Sequence, residues 1–176
     1  MEFPKRNIIT DDKIIKYLDY KQRIDMKPSG LWYSCHDSWY NWISEEMPEK
    51  LLKYIHKLNI NSNVLTDIRN KNKNKLLVIK TLKDFDLFNK NYKVIIKSKF
   101  KEKNIFSTAE NTYIDWKKVS NHFGGIEICP YLYKRRNILW YNSFDVASGC
   151  IWNPQSIIKN FKIIYEKKND KYIKIN

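Results

Sequence analysis

The amino-acid sequence predicts an α+β fold in a single domain over residues 1–176, with short strands in mixed or antiparallel sheets and two or three helices. A length of 176 residues suits one domain. A hydrophobic fraction of 43% and an aromatic fraction of 15% are enough for a packed core. Short apolar runs alternate with helical patterns, which indicates strands and helices wrapped on that core.

The first third of the chain leads into one aromatic unit. Residues 1–9 are predicted as an extended lead-in, and residues 14–20 as either a short helix or a strand. Residues 27–42 then form the unit around which the rest of the chain is organised. Pro28 and Gly30 predict a turn at its start, because proline fixes φ and glycine permits a close backbone approach.

This unit is predicted to contain a strand, a turn and a helix. Residues 31–33 predict the strand, and Ser38 predicts the N-cap of a helix that carries Trp39 and Trp42 at i, i+3 spacing. Together with Trp32, these are three of the six tryptophans. Such a concentration of flat rings suits either a pocket for a flat ligand or a core.

The middle of the chain predicts a helix, two strands and a second helix. Residues 43–57 are predicted to continue the first helix, which breaks or restarts at Pro48. A short strand is predicted near 64–68, and the apolar run 76–79 is typical of a buried strand. Thr81 is the predicted N-cap of the next helix.

A further helix and strand are predicted before residue 130. Residues 94–96 favour a strand and residues 98–111 a surface loop. Asp115 is the predicted cap of a helix that ends at the glycines 124–125, because glycine commonly terminates helices. Residues 126–129 predict the strand that follows.

The C-terminal part predicts two more strands. They cover residues 147–153 and 157–165, and residues 166–176 are predicted as a charged tail. The chain contains no internal repeat.

Charge and cysteine content narrow the possible partners. The formal net charge of +14 would attract polyanions such as nucleic acid. Three cysteines without a CxxC spacing favour reduced thiols and a cytoplasmic location, and no metal site is predicted. The sequence has no long apolar run, so no membrane association is expected.

Three motifs of the chain are distinctive: Lys-Pro-Ser-Gly-Leu-Trp-Tyr-Ser at 27–34, Gly-Gly-Ile-Glu-Ile at 124–128 and Phe-Asp-Val-Ala-Ser-Gly-Cys-Ile-Trp-Asn-Pro at 144–154. They resemble motifs of a family of uncharacterised proteins from large DNA viruses, phages and microbes. The resemblance covers about residues 27–158. For a viral protein, the location would be the host cytoplasm or nucleus.

The segment Gly-Leu-Trp-Tyr-Ser at 30–34, with a serine and a tyrosine shortly after it, is also similar to an element of ADP-ribosyltransferase-like domains. In that family the element is a strand and a helix against which a nicotinamide ring stacks. The resemblance implies an ADP-ribosyltransferase-like fold, NAD or an ADP-ribose-type nucleotide as cofactor, and transfer of ADP-ribose as a possible activity. The implied binding residues are Gly30, Trp32, Tyr33, Ser34, Ser38 and Tyr40.

The sequence departs from that family at two positions. Residues 17–20 have no histidine or arginine where the family has its first motif, and Ala147 or Ser148 stands where the family has its catalytic glutamate. Cleavage of a nicotinamide–ribose bond needs a carboxylate, and Glu127 and Asp145 are the candidates. Either one of them serves, or the domain only binds its ligand.

Strand alternation places Glu127 on the face opposite its isoleucine neighbours, so a solvent-facing position is the alternative to a catalytic one. Asp145 is equally suited to a turn.

Two other functions fit the same residues. A basic nucleic-acid-binding module would contact phosphates with lysines and stack bases on aromatics such as Trp32 or Trp140. An interaction protein would present Trp39 and Trp42 to a host or acceptor protein.

Overall fold

A nine-stranded mixed sheet forms the centre of the structure, a computed structural model that describes residues 1–18, 20–61, 63–96 and 112–175. The strands of the chain are β1 (Arg6–Thr10), β2 (Ile24–Asp25), β3 (Leu31–Cys35), β4 (Tyr54–Ile60), β5 (Leu65–Thr66), β6 (Asn72–Ile79), β7 (Lys93–Ile95), β8 (Thr112–Asp115), β9 (Phe123–Ile128), β10 (Ser148–Ile151), β11 (Ile158–Lys168) and β12 (Lys171–Lys174). The helices are α1 (Ser38–Glu46), α2 (Leu82–Tyr92), α3 (Trp116–Ser120), α4 (Leu139–Asn142) and α5 (Pro154–Ile157).

The large sheet has the strand order β12-β11-β4-β1-β3-β10-β9-β6-β5. All neighbours are antiparallel except β9–β6 and β6–β5, which are parallel. Strands β2, β8 and β7 form a second, antiparallel sheet. The chain is therefore a mixed α/β structure with strand-rich sheets and few helices, which confirms the coarse fold class predicted from the sequence.

Helix α2 begins as predicted. The hydroxyl of Thr81 accepts the backbone N–H of Asp84 at 3.1 Å, and Phe85, Phe88 and Tyr92 are buried. Together with α3 and α4, the helix belongs to the largest core cluster, in which the Trp116 and Trp140 rings meet edge to face.

Helix α1 begins differently from the prediction. Ser38 is its first residue rather than its cap, and the Ser38 hydroxyl donates to the carbonyl of Ala147 at 2.6 Å. The hydroxyl of Ser34, on β3, accepts the backbone N–H of Trp39 at 3.0 Å. The strand thus supplies the hydrogen-bond acceptor that the helix N-terminus needs.

Three predictions for the N-terminal third are corrected by the structure. Residues 6–10, predicted within a lead-in, form strand β1 between β3 and β4. Residues 14–18 form neither helix nor strand. The helix predicted over 43–57 ends at Glu46, and the predicted restart at Pro48 is confirmed only as a short 3-10 helix, Pro48–Lys50. Residues 54–60 form β4, because pairing with β1 and β11 outweighs the helical periodicity.

The glycines predicted to end a helix lie instead inside strand β9. Helix α3 already ends at Ser120, and neither glycine has a positive φ. A Cβ at Gly124 would come within 2.7 Å of the carbonyl oxygen of Lys73, and one at Gly125 within 2.8 Å of that of Cys150. Close approach of neighbouring strands explains both residues.

The C-terminal segment is a hairpin rather than a tail. Strand β11 extends to Lys168 and pairs with β12. The loop predicted at 98–111 lies outside the described residues.

Candidate functional site

The register of three neighbouring strands decides which predicted site residues can meet. Gly149 on β10 lies between Tyr33 on β3 and Glu127 on β9. Ser148 lies in the next row, beside Ser34. Because side chains alternate along a strand, the residues of these two rows point to opposite faces of the sheet. The predicted site is therefore divided into two regions, with the sheet between them.

The first region is a buried ion pair. The guanidinium of Arg6 donates to both carboxylate oxygens of Glu127, through Nε at 2.5 Å and Nη2 at 3.0 Å. The hydroxyl of Tyr33 donates to the same carboxylate at 2.7 Å. Gly149 leaves the space that the Tyr33 ring occupies, since a Cβ there would overlap the ring.

The protonation states of this cluster are held by its own members. Burial alone would lower the pKa of Arg6, but the hydrogen bonds and charge of Glu127 outweigh it and raise that pKa. Burial, followed by the negative charge of Glu127, raises the pKa of Tyr33 well above its usual value. Arginine stays charged and tyrosine stays a neutral donor.

Glu127 lies on the face opposite Ile126 and Ile128, as alternation predicted, but that face is not exposed to solvent. Glu127 is fully buried at 0% exposure, like every other residue of β9. Its carboxylate is occupied by Arg6 and Tyr33 and has no access to a ligand. Arg6 was missed at the sequence level, because nothing local relates it to a residue 121 positions away.

The second region is a cleft on the other face of the sheet. It consists of two adjoining pockets that share Trp42, Asp145 and Val146. The larger has a volume of about 600 Å³ and is lined by Ser38, Asn41, Trp42, Glu45, Glu46, Tyr131, Tyr133, Arg136, Asn142, Asp145, Val146 and Ala147. The smaller, of about 240 Å³, is lined by Lys27, Trp32, Trp39, Trp42, Phe144, Asp145, Val146 and Ser148.

The six tryptophans fall into two groups of three. The indole N–H groups of Trp116, Trp140 and Trp152 donate to Asp25, Asn89 and Phe123 at 2.7–3.1 Å, and all three rings are buried. The other three are only partly buried and line the smaller pocket: Trp32, Trp39 and Trp42. Within the described part of the chain, their indole N–H groups donate no hydrogen bond, so they are available to a ligand.

Charged groups stand at the mouth of the cleft. Asp145, with an exposed carboxylate and a φ of 60°, lies 3.5 Å from the ammonium of Lys27. Arg136 adds a second cation, and Glu45 and Glu46 add two carboxylates.

A tyrosine of the same cleft is held in its neutral form. Burial and then the charge of Asp145 raise the pKa of Tyr131, whose hydroxyl is thus a neutral donor near pH 7.

Of the residues predicted to bind, the structure brings Trp32, Ser38 and the predicted catalytic Asp145 into one cleft. Tyr33 belongs to the other face. Ser34 is buried and bonds the start of α1.

Two further predicted binding residues have packing roles. Gly30 lies against β10, where a Cβ would meet Cys150 Sγ at 2.6 Å. Tyr40 packs on Phe3 and Tyr172, with ring centroids 5.1 and 6.0 Å away. Trp140, suggested for base stacking, is buried.

The sequence did not single out several cleft residues, among them Lys27, Tyr131 and Arg136. The i, i+3 spacing of Trp39 and Trp42 was the available signal for the aromatic wall. Among the described residues, no group of three or more histidine, cysteine, aspartate or glutamate side chains could hold a metal ion. The helices of the described ranges are all too short or too polar to cross a membrane.

Comparisons with protein-family models, with curated proteins and with solved structures found no match for this chain. The ADP-ribosyltransferase-like fold stays a prediction from sequence motifs.

Proposed function

We propose that the tryptophan cleft binds a nucleotide of the NAD or ADP-ribose type. The observation that carries this proposal is the wall of three partly buried tryptophans, whose indole N–H groups donate to none of the residues that the structure describes, beside an accessible carboxylate. Flat rings stack favourably on such side chains.

The size of the cleft suits such a ligand. The two pockets of about 240 and 600 Å³ adjoin, and Trp42 and Asp145 line both of them. Ligand sites commonly span about 300–1,000 Å³ with apolar walls and a few polar groups. A ring would enter the smaller pocket while the rest of the nucleotide lies in the larger one.

The polar groups of the larger pocket match the remaining parts of a nucleotide. Arg136 can pair with a phosphate, because its guanidinium presents a planar set of donors. Ser38 and Asn41 offer neutral hydrogen-bonding groups, and Glu45 can accept from ribose hydroxyls. Any transfer of ADP-ribose from this cleft would use Asp145, because Glu127 is buried on the other face.

The test is calorimetric titration of the full chain with NAD and with ADP-ribose. We expect both to bind, and Trp42→Ala to weaken binding about tenfold because a stacking surface is lost. Phe161→Ala is the matched control, since Phe161 is also a partly buried aromatic but packs against a core cluster outside the cleft. Failure of both nucleotides to bind at millimolar concentration would reject the proposal.

A second candidate ligand is a nucleic acid held by the lysine surface. Lys57 on β4 and Lys162 on β11 are directly opposite and exposed, and like charges in that relation destabilise a sheet unless an anion is bound. An oligonucleotide whose affinity falls steeply with salt, and is unchanged by Trp42→Ala, would assign binding to this surface instead.

A further inference from the structure

The smaller pocket of the cleft already contains a cation. The ammonium of Lys27 lies 5.5 Å from the centroid of the Trp32 ring. It also lies 3.5 Å from the Asp145 carboxylate. An aromatic face combined with a carboxylate is the arrangement that stabilises an organic cation.

The Lys27 side chain can leave without movement of the backbone beside it. Pro28 is buried, and its carbonyl accepts the Cys150 thiol at 3.8 Å. The amide side chain of Gln22 bonds both the N–H and the carbonyl of Ser29, at 3.1 and 2.6 Å. The Lys27 side chain itself is 47% exposed. Its head group can therefore swing into water while residues 28–29 stay in place.

The carboxylate partner is held in an unusual backbone conformation. Asp145 has a φ of 60°, in the left-handed region that few non-glycine residues adopt. Its N–H donates to the carbonyl of Asn142 at 3.2 Å, which closes the turn. Backbone strain of this kind is typical of functional sites. The turn keeps the carboxylate at the mouth of the pocket, where it faces Lys27.

We propose that this pocket is a site for a flat organic cation, and that Lys27 is a resident substitute that the ligand displaces. This inference rests on the proposed nucleotide function and deepens it, because it assigns the pocket to a positively charged ring. An incoming cation replaces the contacts that Lys27 gives up with Trp32 and Asp145. An uncharged ring displaces Lys27 but leaves Asp145 without a partner, and it binds more weakly.

The test is a titration of the full chain with two small probes, in which tryptophan fluorescence reports binding. The probes are 1-methylnicotinamide, a permanent cation, and nicotinamide, its uncharged counterpart. The wild-type protein is expected to prefer the cation. Lys27→Met keeps an apolar stem on Trp32 but removes the competing ammonium, so the cation should bind about three- to tenfold more tightly. Asp145→Asn should reduce the preference for the cation, because only the Trp32 face is then left to favour it.

Lys159→Met is the matched control, because Lys159 is an exposed lysine on β11 with no part in the cleft. If Lys27→Met does not fold, judged by circular dichroism, Lys27→Gln replaces it. Equal affinity of the wild-type protein for the two probes, or cation binding that Lys27→Met leaves unchanged or weakens, would overturn the inference.

ADP-ribose separates this inference from the proposed function, because it lacks the pyridinium ring. Its affinity should not change in Lys27→Met. If ADP-ribose binds but the protein has equal affinity for the two probes, the assignment of a cation site is wrong and the proposed nucleotide cleft stands. If neither nucleotide binds while the probes behave as expected, the nucleotide function is wrong and the cation site stands.

Discussion

The surroundings of Glu127 in the structure differ from those that the sequence indicated. Its carboxylate accepts three hydrogen bonds, two from Arg6 and one from Tyr33. Three of the about four acceptor positions of a carboxylate are thus taken by donors of the protein itself. A buried carboxylate of this kind fixes the packing of β1, β3 and β9, which are not all neighbours in the sheet.

We expect Glu127→Gln to lower the free energy of unfolding by about 3 kcal/mol, because it leaves the Arg6 charge buried and unpaired. Urea denaturation measures the loss. The double variant Arg6→Met, Glu127→Leu should be less destabilised than either single charge removal. Asp170→Asn, an exposed carboxylate, is the control. Unchanged stability together with lost nucleotide binding would instead make Glu127 a functional residue.

The sequence indicated candidate residues of the cleft better than it indicated the burial and the contacts of those residues. The cluster of tryptophans in 27–42 and Asp145 were singled out from the sequence, and Asp145 and the three tryptophans all line the cleft. The burial of each side chain could not be predicted. Trp32 and Tyr33 are adjacent on β3 and point to opposite faces of the sheet, and the sequence does not show how each face is covered. The partner of Glu127 is distant in sequence and could not be inferred.

At the scale of elements, the contact between β3 and α1 determines one wall of the cleft. The Ser34 hydroxyl accepts the N–H of Trp39 and lies 3.0 Å from the Ser38 hydroxyl. Ser38 in turn donates to the carbonyl of Ala147, across the cleft. A chain of hydrogen bonds therefore connects the strand, the helix and the loop before β10.

Ser34→Ala should lower the free energy of unfolding by about 1 kcal/mol, because the start of α1 loses its acceptor. It should also weaken nucleotide binding, although Ser34 itself is buried outside the cleft. Thr81→Ala is the matched comparison, since Thr81 caps α2 away from the cleft. It should reduce stability by about the same amount and leave binding intact. Equal binding by both variants would contradict a positioning role for Ser34.

Two elements with strong local signals were predicted correctly, and two whose place is set by strand pairing were not. The apolar run of β6 and the capped helix α2 are examples of the first kind. Strand β4 is an example of the second, because its helical spacing is overridden by two strand neighbours. Strand β1 has only five residues and gains its central place from partners on both sides.

At the scale of the whole molecule, the net charge of the chain and the net charge of the cleft differ in sign. The chain has a net charge of +14. The cleft carries two cations, Lys27 and Arg136, against the three carboxylates of Glu45, Glu46 and Asp145. The positive field of the molecule therefore guides anions toward its surface, while the cleft locally favours a ligand with a positively charged part.

The stability of the whole fold should fall as the pH drops below neutral. His56 on β4 is buried and bonds the carbonyl of Asp12 at 2.9 Å. Burial lowers the pKa of His56, so the unfolded chain takes up this proton at a higher pH than the folded protein does. The contribution of neutral His56 is present above about pH 6.5 and is lost as the pH falls toward the lowered pKa.

Urea midpoints measured between about pH 7 and about pH 5 test this expectation. His56→Gln, which retains a donor for Asp12, should flatten the dependence relative to the wild-type protein. The exposed His36, changed to asparagine, should leave it unchanged. An identical slope in His56→Gln would show that other groups dominate the acid response.

The division of the tryptophans has a practical consequence for spectroscopy. Three indoles are sealed in the interior and three border the cleft, so the emission of the protein contains two populations with different access to a collisional quencher. Iodide or acrylamide should reach only the second population until the chain unfolds. Occupancy of the cleft and integrity of the fold can thus be read from the same sample, without an attached dye.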